Sequence, residues 1–277
     1  MIQEYELNGD ENQEMASRQA ELQILASIAK SIGRSHGQLN WDEITGFMAM
    51  KGHNYDRGLM VVGRAVNGWT KKTWTPESLN ADSNVHEFVD CVSKSVTALE
   101  CCPMQWVSKS WGNSSTALPS NWAYHDDRYY NSRRSAFWRV IRDVVGKLDL
   151  ADIDNVAWPS CLVWSNLYKI SPAAGRNPSG KQRSLQREGC VSLLETEIQV
   201  YKPRRLLFLT GYNWAEPFLK RIAPNIPEIR NSLYVHAAGT FNPGSDDACT
   251  IVVATHPERK PEAAWVQDVM RAFQSHE

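Results

Sequence analysis

Four short apolar runs in this chain each end in a polar stretch whose side chains could do chemistry. They are Leu59 to Val62 before Gly63-Arg-Ala-Val-Asn-Gly68 and Trp69, Cys161 to Trp164 before Ser165-Asn-Leu-Tyr-Lys169, Leu206 to Leu209 before Thr210-Gly211, and Thr250 to Ala254 before Thr255-His-Pro257. Asn166 carries a donor and an acceptor on one amide and can pair with two adjacent polar atoms of a ligand. The competing role is a strand-end Asn that satisfies loop backbone groups. His256, held on a rigid turn by Pro257, could donate to an oxygen on which negative charge builds, or serve structure alone. Lys169, Arg176, Lys181 and Arg183 surround the second loop, and Arg259 and Lys260 flank the last. These cations could track phosphates, or they could be solvated surface charge. Trp69 or Trp74 could stack on a flat ligand, although in a chain with 11 tryptophans core packing is the commoner fate of any one of them.

The elements that must position these groups follow from pattern. Val, Ile and Leu runs bounded by glycine are typical of strands buried on both faces of a parallel sheet. In such sheets the loops leaving the carboxyl ends of the strands bind ligands. Between the runs the apolar positions recur at helical spacing. Met15, Leu22, Ile24, Leu25, Ile28 and Ile32 predict a helix over about 12–33. Phe88, Val89, Val92, Val96 and Leu99 predict one from Val85 to about Glu100, capped by Ser83 or Asn84. Phe137, Trp138, Val140, Ile141, Val144 and Val145 predict a helix over Ser132 to Leu148. Further helices are expected from about Ser184 to Tyr201, over 212–223 with an interruption near Pro217, and over 262–274. Residues 34–57 read as a loop with one helical turn near Trp41 to Met50, and Leu233 to Val235 as a small strand. Residues 103–132 are irregular and read as an insertion or a ligand-facing segment. The alternation predicts one α/β domain over 1–277, a three-layer α/β/α sandwich around a central, mainly parallel four-stranded sheet.

Composition sets bounds. At 277 residues, with 42% apolar and 22% charged residues and a formal net charge of −1, the chain is an ordinary globular one without a global basic field. Any phosphate contact must therefore come from local Lys and Arg clusters. The abundance of Trp suggests that several aromatics lie at a cleft or contact face. The six cysteines show no paired Cys-x-x-Cys spacing, so reduced, mostly buried thiols are expected, with no metal site and no cofactor. His125-Asp126-Asp127 are three adjacent residues, which rarely converge on one ion. No window reaches the roughly 18 apolar residues of a membrane helix, and the acidic start is unlike a signal peptide. A cytoplasmic protein with no membrane contact is the expectation.

Taken together, the strand-end stretches resemble the uracil-DNA glycosylase superfamily. That family has a first strand ending in Gly-x-x-Pro-x, a strand ending in Thr/Ser-Asn-Leu-x-Lys, a Cys-containing helix, an apolar strand ending in Leu-Gly, and a last strand before His-Pro. The matching stretches here are Gly63 to Gly68, Ser165 to Lys169 with Arg176-Asn-Pro178 after it, Cys190 to Pro203, Leu207 to Gly211, and His256-Pro257. They span about residues 55 to 275, and the middle segment is most similar to the bacterial iron–sulfur members. The resemblance implies DNA as partner, single-stranded or damaged, and hydrolysis of the N-glycosidic bond of a flipped uracil or other altered base. It implies base contacts from Asn166, Gly63, Arg64 and Trp69, chemistry from His256 and Asn67, and phosphate contacts from Lys169, Arg176 and Arg259.

The departures bear on activity. The four cysteines of the iron–sulfur members have no counterparts here, so no cluster is expected. Active families place a carboxylate or an asparagine one or two residues after the first glycine, where this chain has Arg64 and Ala65, and the family proline is Val66. Cleaving the bond develops positive charge on the sugar and negative charge on the base. An arginine beside the sugar would repel that cation by about 4 kcal/mol at about 4 Å and an effective dielectric near 20, unless it points away. Glu77 and Asp82, downstream of the first motif, are the nearest replacement acids. A binding module of the same fold, without cleavage, is the alternative.

Overall fold

The computed structural model describes residues 9–35, 37, 43–66, 68–97, 102–111, 130–242 and 244–276. In chain order the elements are α1 (Gly9–Arg34), β1 (Ile44–Gly46), β2 (Met50–Lys51), β3 (Leu59–Ala65), α2 (Asp82–Val96), α3 (Gln105–Ser108), α4 (Ala136–Lys147), β4 (Leu162–Tyr168), β5 (Ile170–Pro172), α5 (Gly180–Tyr201), β6 (Arg205–Phe208), α6 (Tyr212–Ile222), β7 (Val235–Phe241), β8 (Cys249–Ala254) and α7 (Glu262–Gln274).

The four apolar runs become the four inner, parallel strands of one sheet, whose order is β2-β4-β3-β6-β8-β7. β4 and β8 are buried at every residue, as strands covered on both faces must be. The sheet has six strands rather than four, because two antiparallel edges complete it. β2 is two residues long and pairs with Val163 and Trp164. β7 runs Val-His-Ala-Ala-Gly-Thr-Phe against β8. Its alanines and glycine have weak strand preference, so the pairing with β8, and not local propensity, makes it a strand.

The chain passes from β3 to β4 on one side and then crosses back to β6 on the other. Right-handed crossovers put the connecting helices on opposite faces. α4 packs on α7, and α7 on β7 and β8, while α5 lies against β4 and carries α1 on its outer side. The reversal of direction beside β3 is the kind of switch point at which such sheets open a crevice.

Three local readings are corrected. The helical turn expected near Trp41 to Met50 is instead β1 and β2. β1 pairs with β5, Phe47 N–H donates to Lys169 O, and Ala49 N–H donates to the Glu197 carboxylate. These are long-range partners that a local pattern cannot reveal. α5 begins four residues earlier than expected, because Ser179 and Gln182 form a reciprocal capping box. α6 continues through Pro217 to Ile222. The thiols of Cys161, Cys190 and Cys249 are buried and free, and burial pushes each up to about 12. No helix among the described residues is long and apolar enough to cross a membrane.

Lys169, expected to meet a phosphate, is fully buried. Its Nζ donates to Glu197 Oε1 at 2.7 Å and Oε2 at 2.8 Å, and to Ser165 Oγ at 2.7 Å. Glu197 is fully buried too. Lys169→Met should destabilise the protein by about 3–5 kcal/mol in urea titrations, since it leaves the buried Glu197 charge without its cation. Lys169→Met with Glu197→Leu should recover most of that loss.

Candidate functional site

Pleating carries alternate side chains of β4 to opposite faces. Ser165 faces Glu197 on α5, with its Oγ 2.6 Å from Oε2. Trp164 and Asn166 therefore face the other way, into a cavity of about 600 Å³ at the carboxyl ends of β3, β4 and β8. Gly63, Arg64, Trp106, Phe137, Asn177, His256, Glu258 and Arg259 also line it. Two of the residues that line it carry a buried N–H donor with no hydrogen-bond partner, Asn166 Nδ2 and Trp164 Nε1. A buried donor left unpaired costs about 1–3 kcal/mol, so the cavity is suited to a ligand that brings acceptors.

Gly63 is required here by close approach. It stands beside Asn166 in the parallel register of β3 and β4. A Cβ at Gly63 would overlap Asn166 Oδ1 and lie 3.5 Å from Phe137 Cε2. Glycine thus lets an amide and an aromatic ring meet over one strand.

His256 is half-buried at the cavity rim. Its Nδ1 accepts the Glu258 N–H at 3.3 Å, which places the proton of the neutral ring on Nε2. Burial, and then the nearby Arg64 charge, hold its pKa below the ordinary value. The ring is therefore neutral at pH 7 with an Nε2–H to donate. Phe137 lies near-parallel to it at 28°, with centroids 6.4 Å apart.

Arg64 points away from the cavity floor. Its Nε donates to Thr210 O at 2.8 Å, and its guanidinium lies 5.2 Å from the centre of the Trp214 ring. Arg183 lies 4.3 Å from the same ring. Burial and the Arg183 charge both lower the Arg64 pKa. Arg64 and Trp214, together with Gly211, whose φ of +80° is a glycine conformation, His236 and Lys260, surround a second cavity of about 490 Å³ that shares Arg64, His256 and Glu258 with the first. His236 reaches it from a register shift in β7, and its Nδ1 accepts the Tyr212 N–H.

The expected residues divide. Gly63, Arg64, Asn166, His256 and Arg259 converge on the large cavity. Trp69 touches it but is not a free stacking face. It is 4% exposed, packs against Phe47, Trp106 and Trp164, and donates from Nε1 to Ser95 Oγ. Trp74 is buried against Phe88 away from the cavity. Of the aromatics expected at a cleft or contact face, Trp106, Trp138 and Trp164 do line the cavity, but they do so as part of an aromatic core and not outside it. Arg176 is exposed on the loop beside Asn177. Asn67, His125, Asp126 and Asp127 lie outside the described residues, as does most of the 103–132 segment. Asp82 pairs with Lys30 at 2.8 Å, and neither it nor Glu77 lines the cavity.

Phe137 and Glu258 are among the lining residues that the sequence pattern does not mark. Periodicity places Phe137 on the core side of its helix, yet Phe137 and Trp138 are adjacent and so point about 100° apart. Trp138 is buried in the core and meets the cavity only as part of its wall, while half-buried Phe137 faces it. Glu258 is an exposed loop acid with no periodic signature, but it is the one carboxylate among the described residues that line the large cavity. No family model matches the chain, and no curated protein matches it significantly.

Gly63→Ala should cut ligand affinity in this cavity by about 10- to 100-fold by displacing Asn166, the cost of losing one or two good hydrogen bonds, while the urea midpoint moves little. In NMR titrations His256 should titrate below the ordinary histidine value. Arg64→Gln should raise its midpoint, because removing a neighbouring positive charge favours the charged ring.

Proposed function

We propose that the large cavity receives a base flipped out of DNA, and that the protein is a uracil-DNA glycosylase-like hydrolase of the N-glycosidic bond. The observation that carries this reading is the buried, unpartnered Nδ2 of Asn166, a residue that lines the same cavity as a neutral His256. Asn166 Nδ2 donates to a base carbonyl and Oδ1 accepts from the neighbouring ring N–H, a pairing that a uracil edge offers. The Phe137 face supports the ring. His256 Nε2–H donates to a second carbonyl oxygen, where negative charge accumulates as the bond breaks.

Arg64, turned to Thr210 and Trp214, is not aimed at the sugar. Doubling its separation from the developing cation halves the repulsion, from about 4 to about 2 kcal/mol. Arg64, Arg134 and Arg259, which line the cavities, would instead hold the phosphates on either side of the flipped nucleotide. Lys169 has no part in this.

A second reading is base binding without cleavage, favoured by Arg64 and Ala65 standing where active families carry an acid or amide. One experiment separates the two. Oligonucleotides containing uracil, hypoxanthine or xanthine are incubated with excess protein, treated with alkali and resolved by size, and fluorescence anisotropy measures binding in parallel. Strand scission at uracil is the expected result. Binding without scission moves the protein to the second reading, and neither binding nor scission at low salt removes both. Asn166→Ala should lower discrimination for uracil over thymine or cytosine by about 10- to 100-fold, since each good bidentate base contact is worth about 1–3 kcal/mol.

A further inference from the structure

We propose that Glu258 is the catalytic carboxylate of this site, supplied by the last loop in place of the first. The inference rests on the hydrolase reading above and goes beyond it by naming the group that serves the sugar side of the reaction.

The reaction needs an acid residue in a defined place. The base occupies the deep end of the cavity, at Asn166, which is 2% exposed. The sugar must then stay at the mouth, on the side where the departing base meets His256. A carboxylate there stabilises the sugar cation and takes a proton from the attacking water. The first strand-end loop offers Arg64 and Ala65 instead. Among the described lining residues Glu258 is the one carboxylate, and it is exposed, as a group at the mouth should be.

Its placement is set by the same turn that sets His256. The Glu258 N–H binds His256 Nδ1. The following Arg259 takes a left-handed conformation with φ of +60°, which closes the turn directly after the carboxylate. The histidine and the acid therefore sit on one turn. The other acid near this rim, Glu262, is held by two bonds from Arg139 Nε at 3.2 and 3.0 Å, and it does not line the cavity. Glu258 also lines the second cavity with Arg64.

The step balances as a hydrolysis. The C1′–N bond breaks and its electron pair leaves on the base, where His256 Nε2–H and Asn166 Nδ2–H stabilise the charge. The water oxygen forms the new C1′–O bond and gives its proton to the Glu258 carboxylate. That proton returns through solvent to the released base.

The test is single-turnover cleavage of a uracil-containing strand by wild-type protein, Glu258→Gln, Glu258→Ala and Glu77→Gln, alongside binding to the same strand carrying a non-cleavable 2′-fluoro-deoxyuridine. Glu258→Gln should cut at least about 100-fold more slowly, the low end for loss of a general base, with unchanged affinity for the non-cleavable strand. Sodium formate should restore part of the rate of Glu258→Ala, which a purely structural role would not allow. Glu77→Gln, an exposed acid away from the cavity, should cut like wild type. A cleaving wild type with an equally active Glu258→Gln overturns the role of Glu258 alone. So does a Glu258→Gln whose slow cleavage is matched by lost affinity. A wild type that does not cleave overturns the hydrolase reading and this role with it.

Discussion

The carboxylate of Glu197 is the point on which the site side of the sheet is pinned. Buried in α5, it accepts from Ala49 N–H at 3.1 Å, Ser165 Oγ at 2.6 Å and Lys169 Nζ at 2.7 Å. Those donors come from the segment before β2, from β4 and from the turn after β4. A buried acid with one cation and two further donors is satisfied in a single arrangement, and removing any of them leaves charge or polarity stranded. Because side chains alternate along a strand, tying Ser165 to α5 forces Trp164 and Asn166 to the opposite face. A slip of one residue would turn Asn166 into the α5 interface and empty the cavity wall.

That alternation makes the rest of the site possible. Asn166 reaches over Gly63 because the parallel register sets the two side by side and glycine leaves the space. The switch of chain direction beside β3 opens the crevice between the β3, β4 and β8 loops. Arg64, leaving the same strand end one residue later, turns to Thr210 and Trp214 and separates the two cavities. One strand end therefore clears room for a base and delivers a cation to the neighbouring compartment.

The inner strands and most helices could be read from periodicity because each buries a continuous apolar face, and α7 falls where Glu262 and Gln274 were expected to bound it. The edge strands could not. Met50 and Lys51 pair only because β4 lies alongside, and β7 has a sequence that local preference would not make a strand. The site behaved likewise. Asn166 and His256 stood out as polar groups at the ends of apolar runs. Lys169 stood out for the same reason and proved internal, since a Lys one residue past a strand carries no mark of the Glu197 that awaits it 28 positions later. Glu258, two residues beyond His256, has no local mark that separates it from a solvated loop acid.

By itself, then, the sequence determined which segments are buried on both faces, that they form a mainly parallel sheet between helical layers, and that their polar ends gather at one edge. Those facts follow from hydrophobic periodicity, which is local. The tertiary structure alone decided which polar side chains face the cavity and which are consumed inside the fold. Lys169 went to Glu197, Trp69 to the aromatic core, Arg64 to Trp214, and Phe137 and Glu258 to the cavity. The direction of a polar side chain is set by the partner that satisfies it, and in each of these cases that partner or cavity is built from segments distant in the chain.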